Sequence, residues 1–510
     1  MADTKREIER KYEATDDNQL PDLTRVPGVS AVIDKGVAEL DAVYYDTTDQ
    51  RLAAASLTLR RRTGGDDAGW HLKFPVAPDV RDEIRAPLSD MVPRALAGLA
   101  RSRTRDAQLV PVVRLLSSRD VRHLTAADGT LIAELSIDAV RAERLAGGPG
   151  ESHWTEIEVE LADDADPAVL DAVEKRLRKA GIRRSSSASK LARALAETAP
   201  AIPAPRSEAA PAQDSAGGHV LAYLRAQVDA ILAYDPAVRR DLPDSVHQLR
   251  VATRRLRSAL RTYGKIVDRA VTDPIGEELK WLASELGIDR DQEVLTERLT
   301  ARIDTVPRTL LLGPVRGRLR IWTVAHRTGS RRHTLAVLDG RRYLALLETL
   351  DALLAAPPLL PAAAQPAVKA LPKAVLKDHA RLATRIEHAL TLPPGAARDL
   401  ALHEARKAAK RARYAGEAAA PALGTSAKRF AKRMKAVQTV LGDHQDSVVA
   451  REALRTLAIQ AHAAGETAFT WGLLYGQEEA AAADRERELP EVWKEASARG
   501  VRWMVTPARS

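Results

Sequence analysis

The sequence predicts a two-part protein: an α+β N-terminal domain built around a closed β-barrel, followed by an all-α domain with an internal repeat. Three observations predict this architecture. Over residues 1–198, polar and apolar residues alternate with a period of two, as in strands with one buried face. Residues 199–217 are rich in Pro, Ala, Ser and Gly, which is typical of a linker. Over residues 218–505, Ala-, Leu- and Arg-rich helical patterns follow one another, and two landmarks recur at nearly the same offset.

Length, charge and cysteine content restrict the class of protein. A chain of 510 residues is too long for one ordinary core, and a net charge of +9 with a pI near 9.6 favours acidic partners. Cysteine is absent, which excludes disulfides and thiolate zinc sites and fits a cytoplasmic setting. The first residues are charged and no run of about 18 apolar residues occurs, so we expect no signal peptide and no membrane span.

The N-terminal half contains clear strand patterns and one helical pattern. The helix is predicted over 167–180 and ends at Gly181. The clearest strand segments are residues 7–12, 57–62, 70–75, 131–138 and 154–161.

Charged residues occupy one face of several of these strands. On a single strand, the simplest interpretation is a face exposed to solvent. Three carboxylates on one strand repel one another, however, and the residues between them (Ile157, Val159 and Leu161) indicate that the other face is buried. A closed barrel with charges lining its lumen reconciles the two observations. The alternating charges are Glu7, Glu9, Lys11, Arg60, Arg62, Lys73, Glu156, Glu158 and Glu160.

A lumen of this composition suits a condensed phosphate. Carboxylate oxygens from opposite strands are ligands that Mg²⁺ and Mn²⁺ prefer, and Arg and Lys bind phosphate oxygens. Metal and cations together can neutralise a triphosphate and the additional charge of its transition state.

The N-terminal half resembles the CYTH family of triphosphate tunnel enzymes, which is named for bacterial adenylyl cyclases and thiamine triphosphatases. The resemblance covers about residues 1–197 and follows the order of the family's motifs. It implies an eight-stranded antiparallel tunnel that hydrolyses a terminal phosphate with a divalent metal, Mg²⁺ or Mn²⁺. The matching residues are Glu7-x-Glu9-x-Lys11, Tyr45-Asp46-Thr47, Arg60-x-Arg62, Lys73, Arg81-x-Glu83, Arg119, Asp138, Glu156-x-Glu158 and Lys190.

Carried over by position, the resemblance implies three sets of site residues. The residues at the metal would be Glu7, Glu9, Asp138, Glu156 and Glu158. The phosphate-binding residues would be Lys11, Arg60, Arg62, Lys73, Arg81 and Arg119. The catalytic residues would be Glu7, Glu9 and Lys190, with Lys190 or a carboxylate orienting or deprotonating the attacking water. A lysine base requires a lowered pKa. Two alternatives remain open, since Glu160 shares the face of Glu156 and Glu158, and Arg114 competes with Arg119.

The C-terminal half contains two basic helical stripes, which begin at residues 247 and 403, 156 positions apart. A spacing of i, i+3, i+7, i+10 keeps the cations within an arc of roughly 80°. Such a row repels itself unless a polyanion lies along it. A solvated helix face is the alternative, but such faces usually interleave acids, and residues 247–261 contain none. The stripes are His247, Arg250, Arg254, Arg257 and Arg261, and then His403, Arg406, Lys410 and Arg413.

A second landmark recurs at almost the same offset: Leu286-Gly287…Asp291 returns as Leu441-Gly442…Asp446, 155 positions later. The two offsets predict a duplication, about 218–360 and 361–505. We expect the two aspartates to cap helices or to hold arginines. The stripe histidines are either packed or capping residues, or donors to phosphate.

These residues resemble the CHAD domain, a conserved histidine α-helical domain often fused to CYTH. The resemblance covers about residues 215–505 and implies two pseudo-symmetric helical bundles whose facing basic helices form a groove for inorganic polyphosphate. Further cations for the groove are Lys428, Lys432 and Lys435.

Taken together, the sequence predicts a metal-dependent triphosphatase that acts on inorganic triphosphate or polyphosphate ends, with a helical domain that binds polyphosphate. One alternative is a non-catalytic polyphosphate-binding protein associated with polyphosphate granules. Another is a thiamine triphosphatase or adenylyl cyclase, but Trp70, Phe74 and Trp154 do not indicate a pocket for an organic group. Nucleic-acid binding is disfavoured because aromatics make up 4% of the chain and no base-reading element is present. The oligomeric state is left open.

Overall fold

A computed structural model of the chain describes residues 3–14, 20–198, 211–327 and 330–498. The chain divides into two compact units, Met1–Arg206 and Ser207–Ser510. Of the linker predicted over 199–217, residues 199–210 lie outside the described residues, as do residues 499–505 of the predicted helical domain. A helix already begins at Ala216.

The first unit is a closed antiparallel barrel. Its strand order is β5-β4-β3-β2-β6-β7-β8-β1, and β5 pairs with β1 to complete the ring. This confirms the expected eight-stranded antiparallel barrel; a ninth, two-residue strand pairs with β1 outside the ring. The strands are β1 Asp3–Ala14, β2 Ala31–Asp46, β3 Thr58–Thr63, β4 Gly69–Ala77, β5 Val80–Ala86, β6 Val110–Thr125, β7 Leu131–Arg144, β8 Glu151–Leu161 and β9 Arg183–Arg184.

The alternation of the strands separates an apolar outer face from a charged lumen. Ile157 and Val159 of β8 pack in one core with Leu170 and Val173 of the helix that the sequence predicts over 167–180. Each such side chain stabilises the fold by roughly 1.5–3 kcal/mol when it is fully buried. The helices on the outside are α1 Arg51–Ala54, α2 Arg94–Thr104, α3 Ala168–Lys179 and α4 Lys190–Glu197.

Strand register places the charged residues of neighbouring strands side by side. Asp138 lies opposite Arg119 on one side and opposite Glu156 on the other. Lys11 lies opposite Glu158. Because directly opposed residues on one face of a sheet have their Cβ atoms about 4.5–5.5 Å apart, these side chains are brought into contact by the sheet itself.

The turn between β3 and β4 is constrained by a close approach of two backbones. Gly64 has φ +79°, and a Cβ at this position would lie 2.0 Å from the carbonyl oxygen of Glu39. Only glycine fits there, and the turn carries Asp66 and Asp67, which line the lumen.

The second unit is all-helical in its described residues, as the sequence predicts. Shifted by 156 positions, α6 falls within α13, and the order α5, α6, α7–α8, α9 parallels α12, α13, α14, α15. The helices are α5 Ala216–Arg239, α6 Ser245–Thr262, α7 Arg269–Glu285, α8 Gly287–Thr305, α9 Val315–Arg327, α10 Ser330–Asp339, α11 Arg341–Ala355, α12 Ala367–Thr391, α13 Ala396–Leu423, α14 Thr425–Ala463 and α15 Phe469–Ser497.

One hydrophobic core runs through both halves of this unit. It contains Leu249 and Leu256 of α6 together with Ala405 and Ala412 of α13. A second core joins α8, α9, α14 and α15 around residues that include Trp471. The apolar faces of both basic helices are therefore buried in a shared core, and their cationic faces point away from it.

Candidate functional site

The barrel encloses a cavity of about 670 Å³ with strongly charged walls. All six predicted phosphate-binding residues line it, and so do Glu7, Glu9, Glu158 and Lys190. Among the described lining residues, Lys and Arg outnumber Asp and Glu by ten to seven, so the cavity favours an anion. The lining cations are Lys5, Lys11, Lys35, Arg60, Arg62, Lys73, Arg81, Arg85, Arg119 and Lys190.

Three carboxylates converge in the barrel, and of these Glu158 lines the cavity whereas Asp138 and Glu156 are not among the lining residues. Asp138, Glu156 and Glu158 each offer an oxygen, and these oxygens lie within 4.8 Å of one another. All three residues are buried. Their convergence follows from the register of β7 and β8, which sets Asp138 beside Glu156. We call these three residues the acid triad.

The ammonium of Lys190 lies in the middle of the acid triad. Its Nζ is 2.9 Å from Asp138, 2.7 Å from Glu156 and 2.6 Å from Glu158. Lys190 is the first residue of α4, and that helix is capped by Ser189, whose side chain accepts a hydrogen bond from the amide of Ala192. The cap fixes the start of the helix and thereby delivers Lys190 into the barrel wall.

Lys190 does not have the electrostatics of a general base here. Burial lowers its pKa, but Asp138, Glu156 and Glu158 together raise it above the usual lysine value. A base needs the opposite shift. In this arrangement the sequence-based role of Lys190 in deprotonating water has no support, and Lys190 instead acts as a counter-cation.

Two further cations complete the surroundings of the acid triad. Arg119 donates two hydrogen bonds of 2.7 Å to Asp138 and a third, of 2.9 Å, to Glu158. Lys11 forms an ion pair with Glu158 and another, at 3.1 Å, with Glu9. Burial alone would raise the pKa of Asp138, but Lys190 and Arg119 hold it below its usual range. Asp138 is therefore ionised, as a metal ligand must be.

The acid triad fits a divalent cation by its chemistry. Hard carboxylate oxygens are what Mg²⁺ and Mn²⁺ bind, and a cationic group already sits at the point where the three side chains converge. Glu7 and Glu9, which the sequence also assigns to the metal, are not members of this group of three.

Glu7 belongs to a second charged cluster on another part of the wall. It contacts Lys73 at 2.5 Å, and Lys73 also lies 3.5 Å from Glu83. Burial raises the pKa of Glu7 to about 7; Lys73 opposes this shift, and Glu83 adds to it. By contrast, burial would raise the pKa of Glu9, but Lys11 and Lys73 lower it to about 2.

Sequence reasoning missed the centre of this second cluster, Glu83, although it noted the residue as a motif match. Glu83 is fully buried and contacts Lys73, Arg85 and the Nδ1 of His71, the last at 2.9 Å. Arg60 lies 3.7 Å away. The alternation Arg81, Glu83, Arg85 along β5 was the signal that could have found it, because it repeats the pattern of β1 and β8.

The structure places Arg114 and Glu160, the two residues whose roles the sequence leaves open. Arg114 donates to Asp41 at 3.0 and 2.7 Å and does not line the cavity, whereas Arg119 does. Glu160 contacts Lys5 at 2.5 Å and lies outside the acid triad.

Crowding of the cations themselves indicates a site that requires an anion. Arg62 is buried, and burial together with Arg60 and Arg119 lowers its pKa to about 9. Asp67 from the β3–β4 turn forms an ion pair with it. A bound phosphate would relieve the same repulsion.

In the helical unit, four cations of the two stripes cluster between α6 and α13. Burial, then Arg406, Arg254 and Arg250, lower the pKa of Lys410 to about 7, against the opposing effect of Asp446. Arg406 lies 3.4 Å from Asp446 and packs beside Gly442 of α14. We call Arg250, Arg254, Arg406 and Lys410 the cation quartet.

The cation quartet consists of two pairs of residues at equivalent positions of the two stripes. At the offset of 156, Arg250 corresponds to Arg406 and Arg254 corresponds to Lys410. Two neighbouring contacts follow the same correspondence. Arg255 of α6 contacts the carboxylate of Glu417 at 3.0 Å. The residue equivalent to Arg255 is Arg411 of α13, and it donates at 3.0 Å to the backbone carbonyl of Arg261, the residue equivalent to Glu417. The duplication itself stays a prediction.

The other predicted residues of the groove take different positions. Arg261 lies 3.3 Å from Glu277, and Arg413 lies 2.8 Å from Glu417. His403 contacts Gln445 at 2.6 Å, and Asp446 holds Arg406 as expected. The side chain of Asp291 lies outside the described residues. His247 and Arg257 are half-buried on α6, while Lys428, Lys432 and Lys435 are exposed on α14.

Comparison with known proteins identifies both domains. A CYTH domain matches residues 5–195, and a CHAD domain matches residues 222–455. The chain therefore belongs to the proteins in which a CYTH domain precedes a CHAD domain. CYTH domains are metal-dependent and include triphosphatases and adenylyl cyclases, and CHAD domains are associated with polyphosphate binding.

Individual relatives extend the match over nearly the whole chain. The chain is 39% identical over 504 residues, 95% of each protein, to "Uncharacterized protein MT2285" of Mycobacterium tuberculosis (strain CDC 1551 / Oshkosh). PptA from Streptomyces chartreusis is similar in structure with a TM-score of 0.47 and 22% identity, covering 55% of this chain and 99% of that one. The CHAD domain from the plant Ricinus communis has a TM-score of 0.44 and 26% identity, covering 59% and 98%.

Within residues 3–14, 20–198, 211–327 and 330–498, no helix combines the length and the apolar character that crossing a bilayer requires.

Proposed function

We propose that the barrel hydrolyses inorganic triphosphate or the ends of polyphosphate with a divalent metal, while the helical unit binds polyphosphate. The observation that carries the proposal is the acid triad, which reaches through Glu158 a cavity lined by ten Lys and Arg residues. Such a site offers both a place for Mg²⁺ or Mn²⁺ and donors for several phosphate oxygens.

The phosphate chain is held by the lumen cations. Arg60, Arg62, Lys73, Arg81 and Arg119 project from four strands that lie along one arc of the barrel, β5-β4-β3-β2-β6, so they offer an occupant several donors along that arc. Each presently contacts a carboxylate or lies close to one. When phosphate binds, its oxygens replace these carboxylates as hydrogen-bond acceptors, so each cation keeps a negatively charged partner throughout binding.

Lys190 and the acid triad govern access to the metal position. Lys190 contacts the three carboxylates that would hold a divalent ion. Mg²⁺ or Mn²⁺ would supply charge neutralisation and polarise phosphoryl oxygens there. Lys190 or a carboxylate would orient the attacking water, and with Lys190 paired to the acid triad its raised pKa disfavours a role as a base.

The side chains that line the cavity favour an inorganic substrate. Among the described residues that line it, Tyr44 and His123 are the aromatic side chains. Trp70 and Phe74 pack in one outer core and Trp154 in another, so none of them offers a stacking surface to adenine or thiamine. This supports inorganic triphosphate over ATP or thiamine triphosphate.

The symmetry of the cation quartet supports an inorganic chain in the helical unit. Polyphosphate reads the same from both ends, whereas a nucleic-acid strand has a direction. Two half-sites at equivalent positions of a repeat match the first kind of polymer. They contain no element that reads base edges.

The test is phosphate release by the full chain from inorganic triphosphate, long polyphosphate, ATP and thiamine triphosphate, each with Mg²⁺ or Mn²⁺. We expect release from the inorganic substrates to exceed release from the two organic ones. A preference for ATP or thiamine triphosphate would overturn the assignment of the substrate, and release from none of them would overturn the enzyme.

A non-catalytic polyphosphate-binding protein is the second candidate, because Lys190 fills the acid triad. It predicts polyphosphate binding without phosphate release, and the same assay separates the two.

A further inference from the structure

Glu156, one member of the acid triad, has its two carboxylate oxygens in different surroundings. Its Oε1 lies 2.7 Å from the Nζ of Lys190, which also contacts the other two carboxylates of the triad. Its Oε2 accepts a hydrogen bond of 2.7 Å from the indole Nε1 of Trp154. The strand itself supplies this second contact, because residues two positions apart on β8 have their side chains on the same face.

The indole of Trp154 is held in place by α4, the helix that begins at Lys190. Trp154 is 7% exposed and shares a hydrophobic core with Leu191 and Ala194 of this helix. The guanidinium of Arg193 lies over the indole ring, 4.8 Å from its centroid, and Glu197 contacts Arg193 at 2.7 Å. Packing and the cation over the ring therefore keep the indole N–H directed at the carboxylate.

The other oxygen of Glu156 is left open towards the triad. Oε1 is buried, and it accepts no hydrogen bond from the residues that the structure describes, so its contact with Lys190 is an ion pair alone. Buried carboxylate oxygens usually accept hydrogen bonds. An open oxygen beside two further carboxylates suits a divalent cation as a ligand.

We propose that Trp154 is a positioning residue for the divalent metal: its indole N–H holds Oε2 of Glu156 and so presents Oε1 as a single-oxygen ligand. The indole is a donor only, so Trp154 acts through Glu156 and is not a ligand itself. Groups behind metal ligands commonly orient them, and losing such a group lowers metal affinity by about 10–100-fold. The inference rests on the proposed metal-dependent hydrolysis and names a residue on which the affinity of that site for metal depends.

A second buried tryptophan of the barrel supplies a matched control. Trp70 is fully buried, and its indole Nε1 donates at 3.0 Å to the backbone carbonyl of Ser89. Trp154→Phe and Trp70→Phe each keep an aromatic ring and remove one indole donor. The first variant leaves a carboxylate of the acid triad without its donor, whereas the second leaves a backbone carbonyl without one.

The experiment is calorimetric titration of the full chain with Mn²⁺ alone, for the wild type and both variants. We expect Trp154→Phe to bind Mn²⁺ about 10–100-fold more weakly than the wild type and Trp70→Phe to bind it with nearly wild-type affinity. Thermal unfolding without metal checks that both variants are folded. In triphosphate turnover, Trp154→Phe should require more metal for its half-maximal rate, and the rate should recover towards the wild-type value when metal is saturating.

A measurement on the wild type keeps the inference testable if Trp154→Phe does not fold. The full chain has seven tryptophans, so ¹⁵N labelling of tryptophan gives a small set of indole N–H signals. Mg²⁺ should shift at least one of them, because an ion at Oε1 withdraws negative charge from Oε2, the acceptor of the Trp154 hydrogen bond. Saturation with Mg²⁺ that shifts no indole signal would overturn the inference.

Failure of the inference differs from failure of the proposed function. If the wild type binds Mn²⁺ and Trp154→Phe binds it equally well, Trp154 does not position the metal ligand, and the proposed function stands. An equal loss of affinity in Trp154→Phe and Trp70→Phe also overturns the inference, because it reports a general loosening of the barrel. A wild type that binds no Mn²⁺ overturns the proposed metal-dependent function, and the inference falls with it.

Discussion

The barrel and the helical unit both gather cations, but they balance the charge differently. In the barrel, Lys73, Lys190 and Arg119 lie 2.5 to 2.9 Å from carboxylates, and most of those carboxylates are buried. In the helical unit, four cations cluster and the described carboxylate among them, Asp446, lies 3.4 Å from Arg406. The barrel therefore has a cluster of three carboxylates suited to a metal beside its cations, whereas the described residues around the cation quartet form no such cluster. This difference supports the proposal that the chemistry belongs to the first unit and polyphosphate binding to the second.

The largest effect should come from removing one carboxylate of the acid triad. Glu158→Gln removes a charge that a divalent metal requires, so phosphate release from triphosphate should fall by at least about a thousandfold. Polyphosphate binding should persist, because the cation quartet is untouched. Glu160→Gln, on the same strand and face but outside the triad, serves as the matched control and should lose far less. Equal losses in the two variants would remove the acid triad from the mechanism.

The next effect concerns stability without metal. Lys190→Ala leaves three buried carboxylates without their shared cation, which should cost about 3–5 kcal/mol of unfolding free energy. Mg²⁺ or Mn²⁺ should restore much of this loss, because the ion takes the place of the ammonium. Thermal unfolding with and without metal measures it.

Lys5→Ala is the control for that comparison, since it removes a cation from Glu160, which lies outside the acid triad. Its response to metal should match that of the wild type. If metal stabilises Lys190→Ala no more than the wild type, the triad is not a metal site.

A smaller effect tests the symmetry of the groove. Arg250→Gln and Arg406→Gln occupy equivalent positions of the two copies, so each should weaken polyphosphate binding by a similar factor, about tenfold. The salt dependence of binding should become less steep in both, because fewer counterions are released. Lys373→Gln, exposed on α12, should change little. A large effect of one variant beside a negligible effect of the other would contradict a two-fold symmetric site.

The smallest effect concerns the stability of the barrel in acid. Ion pairing lowers the pKa of Glu9 from 4.5 to about 2, and the pKa of Glu158 is also lowered, by Lys11 and Lys190 against the effect of burial. The stabilisation that Glu9 provides is complete above about pH 4.5 and is lost as the pH falls towards 2. Glu9→Gln should flatten this acid transition in a circular dichroism titration. An unchanged transition would mean that other carboxylates govern the acid stability of the barrel.

Much of the fold could be predicted from the sequence because charged and apolar residues alternate along the strands. Alternation along β1, β3 and β8 fixes which residues share a face, and a charged face opposite an apolar one is satisfied by closure. The predicted helix over 167–180 formed as α3 for the same reason, since its apolar stripe covers the outer face of β8.

The sequence did not predict how the charged residues of the lumen divide between the two clusters. Glu7, Glu9 and Glu158 look alike in sequence, yet Glu158 joins the acid triad while Glu7 joins Lys73 and Glu83. That choice depends on register between strands that are far apart in the chain. The place of Lys190 depends on the cap at Ser189, which returns α4 to the barrel.

The duplicated landmark in the helical unit shows the same limit. Leu286-Gly287 lies at the interruption between α7 and α8, whereas Leu441-Gly442 lies inside the continuous α14. The same motif thus lies at the end of a helix in the first copy and inside a helix in the second, where Gly442 packs beside Arg406.

The central claim is that the barrel carries the chemistry and the groove carries the binding. The most direct measurement compares Glu158→Gln with Arg254→Glu/Lys410→Glu in two assays on the same preparations, triphosphate turnover and affinity for long polyphosphate. The account predicts that the first variant loses turnover and keeps affinity, and that the second loses affinity and keeps turnover. Loss of both properties in either folded variant, or turnover that survives Glu158→Gln, would contradict it.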